Sequence, residues 1–229
     1  MTLRLGGFVP WSGIDYPGRQ AAVAFVSGCP WRCPYCHNSH LWAPQATISW
    51  GRVRSFLETR QGLLDALVIS GGEPLAQAAG VAAALVEARD LGFAAGLHTA
   101  GVSPRRLAGL LPVLDWVGLD IKTAFGHYPA ITGRAGTGTA ARAAARLVIE
   151  SGTPYELRTT VHPELISEHE LVTMVAELAT LGATALTLKG FRPTGCPSAR
   201  LNTHYRPWLT STLAQTLREI MPAIVLPDP

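Results

Sequence analysis

The chain has 229 residues, 48% of them hydrophobic and 15% charged, with 19 basic against 16 acidic side chains and a formal net charge of +3. Such a composition describes a compact globular protein with enough apolar material for a full core, and it excludes a disordered chain. The charge is too small and too dispersed to argue for nucleic acid or an anionic membrane as a partner, and no window reaches the roughly 18 apolar residues of a membrane span.

The N-terminal stretch Met1-Thr-Leu-Arg-Leu-Gly-Gly-Phe8 has no basic run followed by a continuous apolar segment, so it does not read as a secretory signal. Residues 1–20 are expected to lead into a first strand, and residues 1–229 to form one domain. Short apolar runs then alternate with helical patterns. Ala21–Val26 predicts a strand, and Val53, Phe56, Leu57 and Arg60 begin a helix. Strand Ala66–Ser70 is followed by helix Val81–Leu91, and strand Ala94–His98 by helix Pro104–Leu111, with Ser103 before Pro104 as a cap and first-turn signal. Strand Trp116–Ile121 precedes helix Ala140–Ile149. Strand Tyr155–Val161 precedes a helix over Ser167–Leu181, whose Ser167-Glu-His-Glu170 opening has capping-box spacing. Strand Ala185–Leu188 and helix Trp208–Ile220 complete the series. Regular βα alternation requires a parallel sheet with right-handed crossovers, and six units are fewer than the eight of a closed barrel.

Between the first strand and the first helix lies Cys29-Pro-Trp-Arg-Cys33-Pro-Tyr-Cys36, a C-x3-C-x2-C loop. A four-iron, four-sulfide cubane normally takes four cysteines, so a loop of three leaves one iron open to a small molecule, which is a catalytic arrangement. The chain has four cysteines in all, and the fourth, Cys196 in Phe191-Arg-Pro-Thr-Gly-Cys-Pro197, reads as an unpaired thiol in a loop. Three other chemistries fit the loop alone. Cys33-Pro-Tyr-Cys36 has the form of a glutaredoxin-like dithiol, Cys33-Pro-Tyr-Cys-His37 that of covalent haem attachment, and the cysteines with His37 that of a Cys3His zinc site. The first leaves Cys29 idle, the second needs export, and the third asks adjacent residues Cys36 and His37 to converge on one ion.

In parallel α/β folds chemistry gathers at the carboxyl ends of the strands. Here the predicted strands run into Ser27-Gly28-Cys29, Ser70-Gly-Gly-Glu-Pro74, His98-Thr99 and Asp120-Ile-Lys122; the fifth carries Arg158, and the sixth is followed by Lys189 and Arg192. Glycines 71 and 72 allow close backbone approach to a ligand, and Glu73 offers an anion to an ammonium group. Beside an open iron, that turn implies a zwitterionic ligand whose amine meets Glu73.

The cysteine loop after the first strand and the Gly71-Gly72-Glu73-Pro74 turn after the second resemble the radical S-adenosylmethionine enzymes. Ile14-Asp-Tyr-Pro-Gly18, Cys33-Pro-Tyr-Cys-His-Asn38, Asp120-Ile-Lys122 and Glu156-Leu-Arg-Thr-Thr-Val161 resemble, more narrowly, the activating enzymes of glycyl radical enzymes, particularly the anaerobic ribonucleoside-triphosphate reductase type. The resemblance implies a partial (β/α)6 TIM-like barrel of the α/β class. In it Cys29, Cys33 and Cys36 hold one [4Fe-4S] cluster and act in catalysis, with S-adenosylmethionine on the open iron. It further implies reductive cleavage to methionine and a 5′-deoxyadenosyl radical, which takes hydrogen from a glycine of a glycyl radical enzyme. Glu73 with the Gly71-Gly72 backbone would hold the methionyl amine, Tyr35 would lie against adenine, Lys122 and Arg158 would meet ribose or carboxylate, and Thr99 and Asp120 complete the cofactor-binding set. Where related activases often have Asp-Thr-Asn-Gly, this chain has His98-Thr-Ala-Gly101, which counts against a monovalent cation shared with Asp120. The implied setting is the cytoplasm, with a low-potential electron donor such as flavodoxin or ferredoxin. Within the same chemistry, an enzyme acting on a small molecule, such as one resembling the carboxy-deazaguanine synthases, is the alternative.

Overall fold

The computed structural model describes residues 3–204 and 208–227; Met1 and Thr2, part of the N-terminal stretch read above, lie outside them. Eight strands form one sheet in chain order: β1 (Leu5–Ser12), β2 (Ala21–Val26), β3 (Ala66–Gly71), β4 (Ala94–Thr99), β5 (Trp116–Asp120), β6 (Tyr155–Val161), β7 (Ala185–Gly190) and β8 (Ala223–Val225). Strands β2 to β8 pair in parallel and β1 is antiparallel to β2. The six expected strands are thus present as β2 to β7, and β1, which carries an isolated antiparallel bridge from Leu5 to Ile48, and β8 form the two edges of an open, partial barrel. Two strands were not expected from the sequence. β1 carries Gly6, Gly7 and Pro10, which weaken a strand signal but are tolerated at an edge, and β8 is only three residues long.

The helices are α1 (Trp50–Glu58), α2 (Ala78–Asp90), α3 (Pro104–Leu110), α4 (Tyr128–Thr132), α5 (Thr137–Glu150), α6 (Glu168–Thr180), α7 (Ala199–His204) and α8 (Ser211–Ile220). The capping box of α6 forms as expected, Ser167 accepting from the Glu170 N–H while the Glu170 carboxylate accepts from the Ser167 N–H. Other expectations need correction. Ser103 precedes α3 in extended conformation but makes no cap hydrogen bond with its side chain. Arg60 falls beyond the end of α1, and α8 begins after Trp208 because Thr210 caps it. α4 and α7 carry too few residues for helical periodicity to show.

Strand alternation sorts the barrel's two faces. Leu67, Ile69, Leu97, Val117, Leu119 and Leu157 point outward into the main core beneath the helices. The inner face closes at one end with Tyr16, Val23, Val68 and Trp116, the Tyr16 and Trp116 rings stacked with centroids 5.1 Å apart. On the same face, further along their strands, stand Ser70, His98 and Asp120. The interior therefore passes from an apolar plug to a polar mouth at the carboxyl ends. Among the described residues no helix is long and apolar enough to cross a membrane.

Two helical glycines make opposite predictions. In α5, a Cβ on Gly138 would lie 1.8 Å from the Phe125 carbonyl oxygen, whereas in α3 a Cβ on Gly109 would meet nothing within 4 Å. Gly109→Ala is expected to stabilise by up to about 1 kcal/mol, as helix propensity dictates. Gly138→Ala should destabilise, because backbone must move. Urea midpoints of the two variants check the pair.

Candidate active site

One cavity of about 660 Å3 opens at the carboxyl ends of the strands, a size suited to a small organic ligand. Each parallel strand from β2 to β7 contributes to its wall. Cys29, Cys33 and Cys36 come from the loop after β2, Ser70 to Gly72 from β3, His98 and Thr99 from β4, Asp120 and Lys122 from β5, Arg158 and Thr160 from β6, and Lys189 from β7. Tyr35 also lines it. All four cysteines of the chain are free thiols. Burial pushes the Cys29 thiol up to about 11 and raises Cys33 as well.

The cysteine loop is fixed by the turn after β3. The Gly72 N–H donates to the Val26 carbonyl at 2.8 Å and the Glu73 N–H to the Gly28 carbonyl at 3.0 Å. Gly71 has φ +116°, and a Cβ there would fall 2.4 Å from the Val26 oxygen; on Gly72 it would fall 2.6 Å from the Gly28 oxygen. The two glycines therefore permit the close approach of two loops, and both also line the cavity.

Glu73 follows the two glycines. It is buried and does not line the cavity. One carboxylate oxygen accepts from the Leu75 N–H (2.9 Å) and the Thr99 hydroxyl (2.6 Å), and the other accepts from the Ala100 N–H (3.0 Å). Burial raises its pKa against the pull of these three donors. The carboxylate ties the β3 turn to the end of β4. Thr99 lines the cavity through the same linkage.

Asp120 sits between two cations. Its carboxylate accepts from the Arg158 Nε–H and from Lys122 Nζ at 3.2 Å. Burial favours the neutral acid, but Arg158 and Lys122 overcome it and hold the carboxyl well below the usual carboxylate range. Lys122 is in turn held charged by Asp120 against the effect of burial, and its ammonium lies 5.7 Å from the Tyr35 ring centroid. The trio carries one net positive charge into the cavity.

His98 is buried at 3% exposure. Burial, with Arg158 beside it, lowers its pKa to about 3, so the ring is neutral at pH 7. Its Nε2 stands 2.8 Å from the Asp15 carbonyl oxygen, which can only accept, so Nε2 carries the proton. Room for the ring comes from Gly118, where a Cβ would meet His98 Nδ1 at 2.4 Å. This contact draws the Ile14-Asp15 segment to the cavity rim.

Other lining residues were not singled out from sequence as contacts: Trp31, Asn38, Trp42, Thr160 and Phe191. Their positions follow from the path of the cysteine loop and the turn after β7, which periodicity does not report. Lys189 and Arg192 line the cavity as strand-end residues. Cys196 lies against the cysteine loop, its thiol donating to the Pro34 carbonyl at 3.3 Å, while Ser39 donates to the Gly195 carbonyl.

Among the described residues no three His, Cys, Asp or Glu side chains are disposed to hold a single metal ion. A cubane binds each cysteine at a different iron, so its thiols stand further apart than the ligands of one ion. Tyr35 and His37, both on the cavity wall, each keep a buried polar atom, Oη and Nε2, without a hydrogen-bond partner. Reduced thiols and unpartnered polar atoms on one concave surface fit an iron–sulfur cluster with a polar organic ligand.

The description of the Radical SAM superfamily matches residues 23–175. A Methanocaldococcus jannaschii protein named as a glycyl-radical enzyme activating enzyme is 32% identical over 143 residues, covering 56% of this chain and 54% of that one. The pyruvate formate-lyase-activating enzyme of Streptococcus mutans is 28% identical over 194 residues, covering 78% and 70%. Among solved structures, Streptococcus suis SuiB bound to precursor peptide SuiA superposes with a TM-score of 0.65 at 13% identity, over 90% of this chain and 48% of that one. The chain thus spans about half the length of the Methanocaldococcus relative and of SuiB.

Two predictions follow from the charged and buried groups. Glu73→Gln places an amide NH2 against one of three inward-pointing donors, and is expected to cost about 1–3 kcal/mol of stability at pH 7, read from urea denaturation. Asp120 has a folded-state pKa below its unfolded value of about 3.9, so its contribution is complete above about pH 5 and is lost as pH falls. Asp120→Asn should therefore be less stable than the parent at pH 7, with the gap narrowing as the pH is lowered toward 3.

Proposed function

The chain belongs to the Radical SAM superfamily, and from that premise we propose that it is an activase that installs a glycyl radical on a partner enzyme. Membership brings a [4Fe-4S] cluster and S-adenosylmethionine as cofactors. In this reading Cys29, Cys33 and Cys36 hold the cluster and the remaining iron takes the methionine end of S-adenosylmethionine. The observation that carries it is the meeting of three thiols, the Lys122–Asp120–Arg158 trio and the unpartnered Tyr35 hydroxyl on one cavity wall. Bound there, the cofactors supply a one-electron reductive cleavage of the sulfonium and with it a strong abstractor of hydrogen atoms.

The chain's own residues bind and orient. Lys122 and Arg158 offer the net positive charge that attracts a ligand carboxylate, and Asp120 keeps both in place. The Gly71-Gly72 backbone lies on the wall where the amine of an amino-acid moiety would be received, with Glu73 and Thr99 holding that backbone from behind. Tyr35 offers a ring face and a buried hydroxyl to the nucleoside. The two side-chain cations on Asp120 support a site that needs no monovalent cation, with neutral His98 anchoring the rim.

A protein substrate is favoured over a small molecule by the rim itself. Ile14 is 78% exposed beside the cavity, and the barrel is open between its two edge strands. Similarity to proteins named as activating enzymes points the same way. We take the partner to be an anaerobic ribonucleoside-triphosphate reductase, the electron donor to be a flavodoxin or ferredoxin, and the setting to be the reducing cytoplasm, which suits four free thiols.

Replacing any one of Cys29, Cys33 or Cys36 by Ala should abolish iron retention and S-adenosylmethionine cleavage. Cys196→Ser, which keeps a donor for the Pro34 carbonyl, should preserve both. Under strict anaerobiosis with reductant and S-adenosylmethionine, electron paramagnetic resonance of the mixture with the reductase should show an organic-radical doublet that narrows when the target glycine is deuterated at Cα. Cleavage without that signal, for any glycyl radical enzyme of the same organism, would move the assignment to a small-molecule substrate.

A further inference from the structure

The reading above requires one electron to reach the cysteine loop from outside, and the structure contains a second groove on the far side of that loop. Its wall includes Pro30, Trp31, Val102, Arg106, Arg134 and Thr137, and its volume is about 420 Å3. Trp31 lines both this groove and the thiol-bearing cavity and is itself buried at 4% exposure, so one indole forms the partition between them. Its ring also meets Tyr128 edge-on at 6.0 Å.

The protein surface around this groove is basic. Arg105 and Arg106 lie on α3, Arg142 and Arg146 on α5, and Arg134 on the loop before α5; no Asp or Glu occurs from Ser103 to Leu114 or from Ile121 to Ile149. Helices α3 and α5 pack against each other. Among the described residues none of these five arginines forms an ion pair, whereas Arg54 on α1 is shared between Glu58 and Glu87. A net charge of only +3 for the whole chain conceals this concentration.

We propose that this arginine-rimmed groove is the docking site of an acidic one-electron carrier protein, which delivers its electron across Trp31. The proposal rests on the function given above. Charge complementarity selects the occupant and speeds its encounter, and Trp31 sets a short path, since electron transfer falls steeply with distance. In the step the carrier loses one electron and the metal group behind Trp31 gains it, with no bond made or broken. The carrier then leaves, its hold depending on screened surface charges.

The test uses the cluster-loaded protein and an acidic flavodoxin. Arg134→Glu is compared with Arg218→Glu, an equal change of charge on exposed α8. At low ionic strength, titration should show Arg134→Glu weakening flavodoxin binding by roughly tenfold, with Arg218→Glu close to the parent and the difference shrinking as salt is added. S-adenosylmethionine cleavage driven by dithionite should be equal in all three proteins. Equal flavodoxin affinity for the parent and Arg134→Glu, with dithionite-driven cleavage intact, would overturn the docking site alone. Absence of dithionite-driven cleavage in the parent would overturn the function proposed above, and this inference with it.

Discussion

The active end of this barrel depends on the contact between two backbones, where the turn after β3 lies on the start of the cysteine loop. Gly71, in a conformation that L side chains rarely adopt, and Gly72 let the Val26 and Gly28 carbonyls accept two hydrogen bonds at separations that any Cβ would block. The turn then continues into Glu73, whose carboxylate reaches Thr99 and Ala100 at the end of β4. Three consecutive strand ends are thereby tied together. The cysteine loop, which has little regular structure of its own, inherits its position from them.

A second constraint is electrostatic. Lys122 and Arg158 are largely withdrawn from water, at 15% and 17% side-chain exposure, and both pair with Asp120, which holds Lys122 charged there and compensates the buried guanidinium. Their common carboxylate holds two cations within reach of a ligand, leaving one positive charge to spare. The neighbouring His98 adds none, because burial keeps it neutral, and its role is to hold Asp15 and with it the rim of the mouth. The polar mouth and the apolar Tyr16–Trp116 plug belong to the same inner face of the sheet, so the alternation that builds the core also aims the charged residues.

Much of this was legible before the structure. The six parallel strands show as short apolar runs because both their faces are covered, and the positions just after them carried the polar residues that meet in the cavity. Pairings between distant residues were not legible. Nothing in the local pattern around Glu73 reports that its carboxylate accepts from Leu75, Thr99 and Ala100, nor that the adjacent glycines, besides lining the cavity, lie against the Val26 and Gly28 carbonyls. β1 was hidden by Gly6, Gly7 and Pro10, acceptable only because it is an edge. Trp31 and Trp42 read as ordinary residues of the loop until its path placed them on the wall. The arginines of α3 and α5 seemed dispersed because the two helices are separated in sequence and adjacent in space.

The central claim is that three cysteine thiols hold a cluster with one iron left for a ligand. Mössbauer spectroscopy of protein reconstituted with 57Fe tests it most directly, with and without S-adenosylmethionine. The account predicts about four irons per chain, one of which changes its isomer shift when S-adenosylmethionine is added while the others stay as they were. Four irons that all ignore S-adenosylmethionine, or a chain that takes up a single metal ion, would contradict it.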